Sequence, residues 1–261
     1  MLKGLYIAYT GMINEQHRLD TMTNNLANAS TVGYKKEGAT SQSFDDILTV
    51  KIKDASTGDE RLVQRLGRNN PGVKIGENYT DYTQGSFRVT GNTYDLALAG
   101  EGFFAIEFTN KSGETSTMYT RAGQFTLNRE GYLVNEDGDY VLDEQSRRIQ
   151  LDPLLETTIS DDGTITQNDN VVAKIQVTDF EDYNYLEKYG ESYYRPIEGA
   201  RTTQANAEVK SGYLEMSNVQ IVSEMVNMIS ITRAYESNQK IIQTYDSSLE
   251  IAVTQLGRVS G

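Results

Sequence analysis

The sequence predicts an α+β protein: a long helix at each chain end, pairing as a coiled-coil layer, around a central, mostly antiparallel β domain. Two observations carry the helices. Leu5, Met12, Leu19 and Leu26 recur every seven residues near the start. Ile221, Met228, Tyr235, Ile242, Leu249 and Leu256 do the same, without a break, near the end. Between them, short alternating runs punctuated by turn signals carry the β domain.

The first helix is expected within residues 1–34. Ala8, Met22 and Ala29 fill three of the four intermediate heptad positions and Glu15 the fourth. This makes a narrow apolar stripe suited to a neighbouring helix. The stretch from Asn28 to Gly33, rich in residues that tolerate turns, supplies the stop.

Residues 35–77 are polar and rich in Gly and Asn, with no sustained period. They are expected to form a connecting segment, partly extended and mobile. Phe44 and Leu48 stand four apart in it. The pair reads either as one helical turn docked on the β domain or as a recognition element.

Residues 78–210 carry the strand signals. The runs are 86–90, 103–108, 124–127, 132–134, 140–142 and 171–178, with turns at 129–131, 136–138 and 161–163. Asp-Gly turns at this spacing argue for an antiparallel sandwich or barrel-like domain.

The last segment, 211–261, repeats the heptad at greater length. Ile231, Tyr245 and Ala252 occupy its second position, with Glu224 and Asn238 as polar exceptions. The run from Ser217 to Gln220 has the form of a capping box. From Val219 to Leu256 no Gly or Pro intervenes, so a helix of about 57 Å is expected. A periodic helix longer than about 25 residues needs helical neighbours. The chain ends are therefore expected to pair with each other, with other subunits, or both.

Composition narrows the chemistry. The 261 residues hold 24 Lys and Arg against 37 Asp and Glu, a net charge of −13. That argues against nucleic-acid binding and against attraction to anionic membranes. With no Cys and a single His, His17, cysteine nucleophiles, disulfides, Cys-ligated zinc and multi-His metal sites within one chain are excluded. His17 lies among Glu15, Gln16, Arg18 and Asp20 and reads as a surface or interface residue. Gly100-Glu101-Gly102 lacks the third glycine of a nucleotide fingerprint and leads into a strand, so a tight turn is expected. The acidic turns at 135–139 and 161–163 lack the ligand spacing of a calcium loop. No catalytic residue, metal or cofactor is expected. No run of 18 apolar residues is present, and the start lacks the form of a cleavable secretory signal, so neither membrane insertion nor signal cleavage is expected.

One set of motifs is more specific. The run from Asn24 through Asn25, Leu26, Ala27 and Asn28 to Gly33, Tyr34 and Lys35 resembles the N-terminal signature of the bacterial flagellar rod and hook proteins, the FlgF/FlgG type among them. Residues 211–219, 224–229 and 233–236 are similar to the C-terminal signature of that family. Residues 102–104, 119–125 and 131–134 are similar to its β-domain motifs. The resemblance implies a structural subunit of the basal-body rod, without enzymatic activity. It implies export by the flagellar type III apparatus without a cleaved signal, and assembly with copies of itself and with neighbouring rod or hook subunits into a torque-transmitting tube. Phe44 and Leu48 match the family's export-gate motif. Two other readings stay open on the sequence: an extracellular carbohydrate-binding or hydrolytic β domain, and a cytosolic coiled-coil adaptor.

Overall fold

The structure, a computed structural model, describes residues 2–52, 63–110 and 113–256. Helix α1 spans Leu2–Ala27. Four strands follow: β1 (Glu37–Ser43), β2 (Ile47–Ile52), β3 (Val63–Asn69) and β4 (Val73–Thr80). The next strands are β5 (Phe87–Val89), β6 (Leu96–Gly100), β7 (Phe103–Thr109), β8 (Thr115–Thr120), β9 (Thr126–Leu127), β10 (Leu133–Val134) and β11 (Tyr140–Val141). Then come β12 (Thr157–Ile159), β13 (Thr164–Gln167), β14 (Asn170–Lys174), β15 (Val177–Phe180), β16 (Leu186–Tyr189) and β17 (Tyr193–Pro196). Strands β18 (Thr202–Gln204), β19 (Ala207–Ser211) and β20 (Tyr213–Glu215) lead to helix α2 (Ile221–Leu256). The chain divides into two compact units. A helical unit contains residues 1–26, 37–80 and 221–261, and a β unit contains 27–36 and 81–220.

In the helical unit, residues 37–80 are not a loose connector. Strand β1 pairs antiparallel with β4, and β2 with β3 inside that pair, giving a folded-back ribbon. The sequence concealed it because β4 buries neither face in alternation, so no period-two signal exists. Phe44 and Leu48 do not share a helical turn. The Phe44 N–H donates across the ribbon to the Gly72 carbonyl at 3.1 Å, and Leu48 lies in β2 opposite Arg68. Cross-strand pairing has displaced the local turn.

Helix α1 has two occupied sides. One meets the ribbon through polar groups. The Asn14 side-chain amide donates to the Ser41 hydroxyl at 2.9 Å. Asn25 donates to the Glu37 carbonyl at 2.7 Å and accepts from the Glu37 N–H at 2.9 Å. The other side meets α2 at glycines. A Cβ at Gly4 would overlap the Tyr245 phenol, and one at Gly11 would lie 3.0 Å from the Asn238 amide nitrogen. Seven residues separate the glycines in one direction and their partners in the other, so the helices run antiparallel. The expected capping box does not form. Helix α2 begins at Ile221, and the Ser217 hydroxyl accepts from the Val219 N–H at 3.3 Å, too early to cap it.

In the β unit every strand pairing is antiparallel among the described residues. Strand β7 is buried on both faces. Phe104 joins Leu96, Leu98, Phe125, Leu133 and Ile165 on one side, while Phe103 and Ala105 join Tyr119, Phe180 and Tyr194 on the other. This explains its continuous apolar run. The single strand expected over 171–178 is two strands. Ile175 leaves the path to bridge Asp143, and its N–H donates to the Gly163 carbonyl at 2.9 Å.

Candidate assembly site

The asparagine-rich motif divides at the helix end. Asn25 and Asn28 are buried, Leu26 is half-buried, and Asn24 and Ala27 are exposed. Helix α1 stops at Ala27, and Asn28 turns the chain: its carbonyl accepts from the Thr31 N–H at 3.2 Å and its side chain from the Thr31 hydroxyl at 3.1 Å.

Gly33, Tyr34 and Lys35 do not open a solvated linker; they are built into the β unit. The Gly33 N–H donates to the Glu215 carbonyl at 2.8 Å. Gly33 has φ +68°, and a Cβ there would overlap the backbone of Arg121 and Ala122, so only glycine fits. Tyr34 and Lys35 are each 1% exposed. The Lys188 ammonium lies 3.9 Å from the centre of the Tyr34 ring.

The Lys35 ammonium donates to Glu215 Oε1 at 2.7 Å and to the Thr83 carbonyl at 2.8 Å. Arg121 Nη1 donates to Glu215 Oε2 at 3.3 Å, and the Gly85 N–H to Oε1 at 2.9 Å. Burial holds the Lys35 ammonium below its usual range, against the pull of the Glu215 charge and hydrogen bond. Next to this cluster the Lys36 N–H donates to Asn218 Oδ1 at 2.8 Å, and the Asn218 amide donates to the Asp81 carbonyl at 2.8 Å. The two terminal motifs are therefore stitched together through buried polar groups. Sequence reasoning did not assign Glu215, Arg121 or Asn218 a role. The available signal was a charged residue inside each of two otherwise apolar or turn-forming motifs.

The stripe on α2 is continuous. Between Val222 and Gln255, the side chains that are not exposed are Glu224, Met228, Ile231, Tyr235, Asn238, Ile242, Tyr245, Leu249 and Ala252. These are the two heptad rows, polar exceptions included. Ile221 is exposed, and the side chain of Leu256 lies outside the described residues. On α1, Leu5, Met12, Leu19 and Leu26 are all half-buried. Among the described side chains of α1, the buried ones are Ala8, Thr10, Asn14, Thr21 and Asn25. Phe44 is half-buried and Leu48 is exposed.

The β unit also has a polar concavity of about 430 Å³, lined by Arg88, Gln124, Glu136, Asp137, Glu191 and Tyr193 among others. The Tyr193 hydroxyl donates to Asp137 and lies 3.2 Å from Asp139, and Asn135 donates to it at 2.7 Å. Both carboxylates thus address one structural phenol, and the acidic turn at 135–139 closes as a hairpin, with the Asn135 N–H donating to the Asp139 carbonyl at 3.0 Å.

A helical unit built from both chain ends, and a β unit in which the flanking terminal motifs are tied by buried polar groups, define a structural, assembly-type subunit. Comparison with known proteins gives the particular family. Residues 5–35 match the family described as "Flagella basal body rod protein", 97–167 the "Flagellar hook protein FlgE/F/G D1 domain", and 210–256 the "Flagellar basal body rod FlgEFG protein C-terminal". The flagellar basal-body rod protein FlgG of Bacillus subtilis is 33% identical, over 96% of this chain and 97% of its own length. The rod protein FlgF of Caulobacter vibrioides is 33% identical over the whole of both chains. The flagellar hook-basal body complex protein FlhO of Bacillus subtilis is 31% identical over 99% of this chain and all of its own. The chain belongs to the flagellar basal-body rod family. No helix among the described residues is long and apolar enough to cross a membrane.

Proposed function

We propose that this chain is a non-catalytic building block of the flagellar rod, working outside the cytoplasm in the basal body as part of a torque-transmitting tube. Its terminal helices form the coiled-coil layer of that tube. It assembles with copies of itself and with neighbouring rod or hook subunits. The observation that carries this reading is the α2 stripe: the residues it shields follow the two heptad rows from Glu224 to Ala252. The close approach of α1 at Gly4 and Gly11 supports the same layer. The domain plan proposed is a helical layer from both ends, a ribbon at 37–80 and a β domain.

The chain travels through the flagellar type III apparatus without losing a signal peptide, with Phe44 and Leu48 as its contact for the export gate. Exposure of Leu48 on the ribbon supports that role. The test is electron microscopy of purified basal bodies carrying an affinity-tagged chain. Label on the rod is expected. Label confined to the cytoplasmic fraction, with rods intact in its absence, overturns the reading.

A further inference from the structure

Two apolar surfaces of the helical unit have no partner among the described residues. The first is on the outer side of α2, facing away from its heptad rows. Val222, Met225, Val226 and Ile229 stand at i, i+3, i+4 and i+7, each between 51% and 77% exposed. No charged residue occurs between Met225 and Thr232. The second is a groove of about 410 Å³ between the start of α1 and the ribbon. Tyr6, Ile7, Ile47 and Pro71 give it its apolar wall, and Lys3 is its one charged residue among those described. Tyr6, Ile7 and Ile47 are 42–58% exposed.

We propose that the outer face of α2 in one copy seats in the α1–ribbon groove of the next copy. This rests on the rod reading and names the surfaces that would serve it. Two arguments select a second copy as the occupant. The uncharged patch and the nearly uncharged groove match each other, and neither suits a lipid headgroup, a nucleic acid or a charged peptide. The two surfaces are different patches of one unit, so the contact is heterologous and repeats indefinitely, as a filament requires.

The chain has no native Cys, which makes the test clean. Two full-length single variants, Ile47→Cys and an affinity-tagged Val226→Cys, are mixed at high concentration and treated with a mild oxidant. A Val171→Cys chain serves as the control, its site being 69% exposed in the β unit. The expected product is a mixed disulfide between the Ile47→Cys and Val226→Cys chains, formed at least ten times faster than either homodimer or the control pair. The doubly substituted chain should give a ladder of oligomers. Tyr6→Cys with Val222→Cys provides a second pair, should one site disturb folding. Predominant Val226–Val226 homodimers, or equal rates for the control, overturn the proposal. The same oxidation on basal bodies from complemented cells separates the two readings. A chain that enters the rod without forming the 47–226 link overturns the surface and leaves the rod reading standing. A chain absent from basal bodies overturns both.

Discussion

Two cations, Lys35 and Arg121, converge on the buried Glu215 carboxylate. Removing one leaves the carboxylate under-compensated in a site that excludes water. Lys35→Met is expected to lower the unfolding free energy of the β unit by about 3 kcal/mol, read from urea titration at pH 7. Tyr193 gives the alkaline counterpart. Burial first, then its hydrogen bond to Asp137 and the charge of Asp139, push its phenol above the usual 10.0. The folded chain thus keeps this proton to higher pH than the unfolded chain. Its contribution is complete below about pH 10 and is lost as the pH rises further. In Tyr193→Phe the fall of stability above about pH 10 should be shallower than in the parent, by urea titration across that range.

At the scale of elements, α2 was legible and α1 only in part. The α2 rows follow a strict seven-residue period, and even Glu224 and Asn238 fall on it. On α1 the leucine row is half-buried, because the helix is covered from two sides and one of its partners is a polar ribbon edge. Buried asparagines that bond to groups 12 or more residues away leave no periodic trace. The ribbon itself was read as a connector for the same reason. Lys35 escaped because lysine is almost never fully buried. The fold class and the chain-end motifs could thus be read from the sequence, while the buried charges that fasten those motifs could not. The α2 row also sets a test. Ile242→Asp with Leu249→Asp places two charges in the shielded stripe. Motility in soft agar should fall to the level of a strain lacking the gene. Urea titration should move the β unit by less than about 0.5 kcal/mol, since both sites lie in the helical unit.

For the whole molecule, the division into two units predicts uneven stability. The β unit has a many-membered aliphatic and aromatic core. The helices of the helical unit leave Ile7, Val222, Val226, Ile241, Ile251 and Val253 largely exposed. Hydrogen exchange on the monomer should therefore show slow amides in β6, β7 and β8 and fast ones in residues 1–26 and 221–256. Equal protection of both sets in a proven monomer would contradict the division. In purified rods, by contrast, the terminal residues should become protected.

The Lys35–Glu215 pair spans 180 residues, and Gly4 meets Tyr245 across 241. Closing loops of that length is slow, and neither closure can begin until both of its residues are free. Whichever end of a chain leaves a narrow passage first, the helical unit stays unfinished until nearly the last residue is through, because Gly4 and Tyr245 lie close to opposite ends. In a chain threaded through such a passage, the glycine contacts are therefore the last part of the fold to close.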